Sequence, residues 1–261
     1  MNLDLTNKYA LVGGSSKGIG KASAIALAEL GANVTLMARS AHLLQEVMQE
    51  LDTSKGQEHD LVVADYSDRQ DLESKIKSKL NEHPFHILIN NTGGPAGGEI
   101  VNATSEQFLD AYQKHLFCNH LLAQLLLEGM KNTGYGRIIN VISTSIRIPI
   151  DGLGVSNTTR GAVASWAKTL ANEVGKFGIT VNNVLPGFTS TGRLDEIIDA
   201  RVSKGLGNRA SIIEKMESTV PLKRFASPKE IGDIVAFLAS PAAAYVSGTS
   251  LPVDGGRTKA I

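Results

Sequence analysis

Short apolar runs alternate with longer amphipathic stretches from one end of the chain to the other. Runs at 9–13, 33–38, 60–64, 86–90, 137–143, 179–185 and 250–253 are brief and rich in Val, Ile and Leu, as strands buried on both faces are. Between them, 18–30, 42–51, 70–80, 108–130, 156–176 and 229–240 carry apolar residues at helical spacing. Ser227 and Pro228 suit the N-cap and first turn of the last helix. Regular strand–helix alternation predicts parallel strands joined by right-handed crossovers, with helices on both faces. The fold class expected is α/β, a Rossmann-type doubly wound parallel sheet. With no repeat or Pro-rich linker, residues 1–261 form one domain.

Two segments depart from plain scaffold. Leu116, Phe117, Leu121, Leu122, Leu125, Leu126, Leu127 and Met130 cover most of the circumference of one helix. Such a helix is buried or packs on another subunit, so a homo-oligomer, tetramer or dimer, is expected. His120 in the same helix is expected to be a satisfied core or interface residue. The second segment, 189–220, is polar and contains glycine, and it comes after a strand end. It is expected to be a mobile lid over the site that selects the substrate.

Composition narrows the partners. The 261 residues are 42% apolar and 20% charged, enough for a sizeable core under a soluble surface. Twenty-six basic side chains balance 26 acidic ones, which argues against nucleic acid or an anionic membrane as partner. Lys75, Lys77 and Lys79 sit among acids as a solvated helix face. Neither a secretory leader nor an apolar run of roughly 20 residues is present, so a cytoplasmic protein is expected. Cys118 is expected to be a buried small hydrophobe. No His, Cys or Asp cluster has metal-ligand spacing, and no metal is expected.

The most informative stretch is Gly13-Gly14-Ser15-Ser16-Lys17-Gly18-Ile19-Gly20, between the first strand and first helix. Glycine allows a tight turn and close approach of backbone to a diphosphate, and the helix start offers free N–H groups. In this strand–turn–helix context the run predicts a dinucleotide site. The second strand ends in Ala38-Arg39-Ser40, where an acidic residue would bond the ribose 2′-hydroxyl of NAD. A guanidinium grips a 2′-phosphate instead, and Lys17 adds a second cation, so NADP(H) is the expected cofactor.

With these motifs in order, the chain resembles the short-chain dehydrogenase/reductase family, in its 3-oxoacyl-[acyl carrier protein] reductase-like branch. The resemblance also rests on Asp65-Tyr66, Asn90-Asn91-Thr92-Gly93, Asn140-Val141-Ile142-Ser143, Pro186-Gly187, Tyr245-Val246-Ser247-Gly248 and Val253-Asp254-Gly255-Gly256, and covers nearly the whole chain. It implies that Gly14, Ser15, Ser16, Lys17, Gly18, Ile19 and Gly20 cradle the cofactor, and that Arg39 and Ser40 stand at its ribose phosphate. It places Asp65 and Tyr66 at the adenine, Asn91 and Gly93 beside the adenosine ribose, and Pro186, Gly187, Thr189 and Thr191 at the nicotinamide and diphosphate.

The family's carbonyl reductases use Asn, Ser, Tyr and Lys. Here Ser143 fits the serine, but Ser156 stands at the tyrosine position, Arg160 at the lysine position and His115 at the asparagine position. Ser156 and Arg160, four apart, share one helix face. Arg160 can take over lysine's charge and its grip on the nicotinamide ribose, but a guanidinium does not give up a proton. His115 titrates near neutrality in water and could donate one, directly or through water. Alternatively, His115 only packs or caps, and Ser156 is an N-cap. Three functions are compatible with these residues. One is an NADP(H)-dependent reductase of a 3-oxoacyl thioester or other small-molecule ketone, with catalytic residues Ser143, Ser156, Arg160 and His115. Another is a non-catalytic NADP(H)-binding or sensing protein. The third, a lyase resembling halohydrin dehalogenases, fits badly, because those lack the glycine loop and keep their tyrosine.

Overall fold

The computed structural model describes residues 1–260. Seven parallel strands form one sheet: β1 (Tyr9–Gly13), β2 (Asn33–Ala38), β3 (Asp60–Val63), β4 (Ile87–Asn90), β5 (Gly136–Val141), β6 (Ile179–Pro186) and β7 (Ser250–Val253). Their spatial order is β3-β2-β1-β4-β5-β6-β7, so the chain reverses its winding direction between β1 and β4. In open α/β sheets the crevice beyond the strand ends at such a reversal is the usual place for a ligand.

Alternate residues of each strand point to opposite faces and fill two cores. Ala10, Val12, Ile87 and Ile89 pack under α1 (Gly18–Glu29), α2 (Ala41–Met48) and α9 (Pro228–Ala239). Leu11 and Leu88 face α3 (Arg69–Leu80), α5 (Cys118–Thr133) and α6 (Gly154–Val174) on the other side. Each fully buried Leu or Ile contributes roughly 1.5–3 kcal/mol. The expected cap of α9 is present: Ser227 Oγ accepts from Glu230 N–H while the Glu230 carboxylate accepts from Ser227 N–H, with Pro228 in the first turn.

The expected 108–130 helix is interrupted. α4 (Ser105–Tyr112) ends in one π-helical turn, Gln113–Phe117, before α5 begins. Cys118 N–H reaches back to Gln113 O, which adds a residue to the turn and rotates α5 relative to α4. The face is therefore not apolar all round. Leu121, Leu122, Leu126 and Met130 are buried, Leu116, Leu125 and Leu127 are half-buried, and Phe117 is exposed. His120 lies outside the core: it is exposed on this chain and satisfied, its Nδ1 accepting from Trp166 Nε1–H at 3.3 Å. Cys118 is fully buried, and burial pushes its thiol up to about 11.

Segment 189–220, expected to be a mobile lid, forms two helices. α7 (Gly192–Ser203) and α8 (Arg209–Ser218) share a small core of Leu194, Ile198, Ile212 and Met216. Arg209 of α8 pairs with Asp195 and Asp199 of α7.

At the opposite end of the strands from the crevice, His86 is wedged among rings and cations. Its Nδ1 accepts from Tyr9 N–H at 3.1 Å, and its ring lies near Tyr9, Tyr135 and the Lys8 ammonium. Burial foremost, then Lys8 and His83, holds its pKa down to about 4. A folded-state pKa below the unfolded value means that the unfolded chain takes up the proton first. The associated stability is complete above the unfolded value, near pH 6.5, and is lost as pH falls through about 4. The slope reaches roughly 1.4 kcal/mol per pH unit. His86→Asn keeps an acceptor for Tyr9 without a titrating ring. Urea unfolding between pH 7 and pH 4 is expected to show a shallower acid slope in this variant than in the parent chain.

Candidate active site in the crevice at the strand reversal

The crevice begins at the turn after β1. Gly14 has φ +57°, and a Cβ at Gly20 would lie 2.7 Å from Asn91 Nδ2 while overlapping Gly14 O. These two positions admit only glycine, and the turn can therefore fold flat onto the start of α1. No side chain caps α1 at Lys17, which is exposed, so its first N–H groups face the crevice. A bare, uncapped helix start walled by glycine fits a dinucleotide diphosphate.

Several residues expected at the cofactor also make contacts within the scaffold. Ser15 is fully buried, and its Oγ accepts from Met37 N–H at 2.8 Å and sits 3.4 Å from Met37 O, tying the turn to β2. The Ser15 side chain thus fastens the turn. Asn91 Nδ2 donates to Gly13 O at 3.2 Å and Gly14 O at 3.4 Å, so it holds the turn. The Tyr66 ring packs in the core under the sheet, with its hydroxyl buried and without a partner. Burial pushes that phenol's pKa up. Ser40 Oγ caps α2, accepting from Leu43 N–H at 3.5 Å.

Other positions line open space. Arg39 is 81% exposed at its side chain, with only a 4.0 Å approach to Asp65. Asp65 lies well below the ordinary carboxylate range, chiefly through hydrogen bonds from Ser67, with Arg39 adding less. Arg39 is therefore free to meet a phosphate. A Cβ on Gly93 would meet nothing within 4 Å. Ser16, Gly18 and Ile19 are half-buried at the turn. From Pro186 at the end of β6, Gly187 leads on to Thr189, which is buried, and Thr191, whose Oγ1 donates to Thr189 O at 3.3 Å. The Thr191 methyl lies 3.3 Å from where a Cβ on Gly18 would stand, so the start of α7 closes over the glycine turn.

The inner wall carries the departures from the family pattern. Ser156 lies in the first turn of α6 and is buried; Leu153 holds the N-cap position, so Ser156 is not the cap. Its Oγ accepts from Arg160 Nε–H at 3.3 Å. Arg160 Nη1–H donates to Val141 O at 3.2 Å, bridging α6 to the end of β5 two residues before Ser143. Ser143 Oγ accepts from Ser145 N–H at 3.0 Å. Both hydroxyls are thus aimed by a donor and keep their own protons to give. Burial, reinforced by Arg193, lowers the guanidinium to about 10, so it stays charged at neutral pH.

His115 sits in the π-helical turn and is 5% exposed. Burial first, then the charges of Arg160 and Lys114, holds its pKa down to about 3. The expectation that it titrates near neutrality is corrected: around pH 7 this imidazole is neutral and has no proton to release as an acid. Arg193 and Gly94 were missed in the sequence. Arg193 comes directly after the Thr189–Gly192 segment, and Gly94 extends the Asn90–Gly93 motif, which is the signal that marked their neighbourhood.

Beneath the crevice a polar ladder crosses the sheet. Asn90, Asn140, Asn183 and Ser250 stand in register on β4 to β7 and are joined by bonds of 2.9, 2.9 and 3.0 Å. It ties β4, β5, β6 and β7 together beneath the site loops. Among the described residues no group of three His, Cys, Asp or Glu side chains could hold a metal, and no helix is long and apolar enough to cross a membrane.

Comparison with known proteins agrees with this geometry. A family model described as enoyl-(acyl carrier protein) reductase matches residues 14–258. The chain is 34% identical to the 3-oxoacyl-[acyl-carrier-protein] reductase FabG of Vibrio cholerae over 97% of its length and 98% of the relative's. L-Sorbose reductase from Gluconobacter frateurii, solved with NADPH and L-sorbose, is 30% identical and superposes with a TM-score of 0.93 over all of both chains. YwfH, an NADPH-dependent reductase involved in bacilysin biosynthesis, is 27% identical with a TM-score of 0.90, covering 98% of this chain and all of its own. Fold, crevice and relatives together show that the chain belongs to the short-chain dehydrogenase/reductase family, in its 3-oxoacyl-[acyl carrier protein] reductase-like branch.

Proposed function

We propose that the chain is an NADP(H)-dependent carbonyl reductase in which a serine–arginine pair replaces the family's tyrosine and lysine. The observation that carries this reading is the Arg160 Nε–H to Ser156 Oγ bond beside an open, uncapped dinucleotide crevice. Gly14, Gly18 and Gly20 with the start of α1 would hold the diphosphate, Arg39 and Lys17 the ribose phosphate, and Thr189 and Thr191 the nicotinamide half. The coenzyme, when bound, supplies a hydride, which with one proton turns a carbonyl into an alcohol and leaves NADP+.

This chain's residues polarise and position. Ser143 and Ser156 donate their hydroxyl protons as hydrogen bonds to the carbonyl oxygen, a pre-aimed oxyanion site. Arg160, held in place by Val141 O, puts a fixed positive charge behind Ser156 and stabilises the oxygen as it gains negative charge. One of its remaining N–H groups would reach the nicotinamide ribose hydroxyls when the coenzyme is bound. Neutral His115 completes the wall. As the carbonyl oxygen gains negative charge it takes the Ser156 hydroxyl proton, and Ser156 regains one from water; neither His115, at about 3, nor Arg160, at about 10, titrates near neutrality. The α7–α8 pair covers the substrate side as a lid.

A panel of 3-oxoacyl thioesters and small ketones, monitored by loss of the reduced-nicotinamide absorbance, tests this function. Turnover of at least one class is expected. NADPH bound tightly with no turnover across the panel would favour a non-catalytic NADP(H)-binding protein, the reading that the absent phenol supports. Ser156→Ala is expected to lower kcat about 10²-fold while NADPH affinity changes by less than about twofold. The kcat of the parent chain is expected to be flat from about pH 5 to about pH 9; a step centred near 6.5 would restore His115 as the acid. Arg39→Asp is expected to weaken NADPH by about tenfold to a hundredfold and leave NADH nearly unchanged, read by fluorescence titration.

A further inference from the structure

The crevice holds more positive charge than its own acids answer. Arg160 uses Nε on Ser156 and one Nη1 hydrogen on Val141 O. About three of a guanidinium's five N–H donors are thus left over. Among the described residues no carboxylate pairs with it. Its Nη2 lies 3.4 Å from where a Cβ on Gly94 would stand, so any side chain there would touch the guanidinium. The next residue, Pro95, gives its carbonyl to Arg193 Nη2–H at 3.0 Å. Two arginines from different helices therefore flank consecutive residues of the loop after β4.

Acids near this edge are few and already engaged or turned outward. Glu196, three residues along the same helix, meets Arg193 at 3.0 Å with 63% of its side chain exposed. Asp195 is bound to Arg209. Glu99 and Asp151 are exposed, and Glu99 is hydrogen-bonded to Asn102. A half-buried cation without a counter-ion is costly, and an anion arriving from outside relieves that cost. Arg193 is held only by a neutral carbonyl and a solvent-exposed carboxylate, a pairing worth little that a bound anion can replace.

We propose that the substrate is an oxo acid whose carboxylate is received by Arg193, with Arg160 behind it, over the bare Gly94–Pro95 edge. This deepens the reductase reading by naming the substrate's chemical class, and it makes Arg193 a specificity-determining residue supplied by the lid. The hydride-accepting ketone then lies between Ser143 and Ser156, while the carboxylate points to α7.

Binding separates this proposal from turnover. The protein saturated with NADP+, which cannot reduce a ketone, is titrated by calorimetry with 2-oxobutanoate, 3-oxobutanoate and 4-oxopentanoate and with their methyl esters. At least one acid is expected to bind about tenfold or more tightly than its ester. In Arg193→Gln that preference is expected to fall to about twofold or less, with NADP+ affinity unchanged. Acids that bind no better than their esters, or no detectable binding across the series, would overturn the proposal. Loss of NADP+ affinity in Arg193→Gln would also overturn it, assigning Arg193 to the coenzyme's diphosphate. Failure of the reductase reading shows separately, as stable NADPH absorbance when NADPH replaces NADP+ with the same acids.

Discussion

One amide group fastens the crevice. Asn91 Nδ2 reaches from the end of β4 to the carbonyls of both Gly13 and Gly14, across the point where the strand order reverses. The contact is possible because Gly14 and Gly20 carry no side chain that would displace it. Drawn flat in this way, the turn presents the uncapped start of α1 to solvent. Ser15 pins the other flank of the turn to β2. Much of the loop's polar chemistry is thus spent on holding a shape, and the backbone itself offers the binding groups.

The inner wall is organised around charge. A lysine in the family position would place a point charge on a flexible stem. Arg160 instead reaches β5 through Val141 O and Ser156 through Nε, so one side chain fixes two elements and one hydroxyl. The same charge, together with burial, keeps His115 neutral. The wall thus offers hydrogen-bond donors of fixed orientation and a permanent cation. The π-helical turn that carries His115 inward also ends α4 and starts α5, so site and scaffold share one irregularity.

How much of this was legible in the sequence depended on how local the cause was. β1, β2 and β7 match their expected bounds residue for residue, because each is a short apolar run closed by turn residues. The α9 cap was readable from Ser227 and Pro228 alone. The helices α7 and α8 were missed because their apolar stripe is thin; Leu194 with Ile198 and Ile212 with Met216 are the i, i+4 pairs that mark them. The π-helical turn has no such signature, since an added residue leaves the apolar spacing on either side intact. Side-chain roles were the least legible. Ser15, Asn91 and Tyr66 stand in motif positions, yet what each touches depends on partners 22 to 78 residues away or on the core beneath the sheet. Ser156 and Arg160 were readable as a pair because their spacing on one helix is itself the geometry.

The central claim is that the glycine turn and the open start of α1 form a working dinucleotide site in a chain that has lost the family's phenol. Isothermal calorimetry of the purified chain with NADPH tests this most directly. The account requires saturable heat at one coenzyme per chain. Absence of heat with both NADPH and NADP+ would contradict it and leave only the fold.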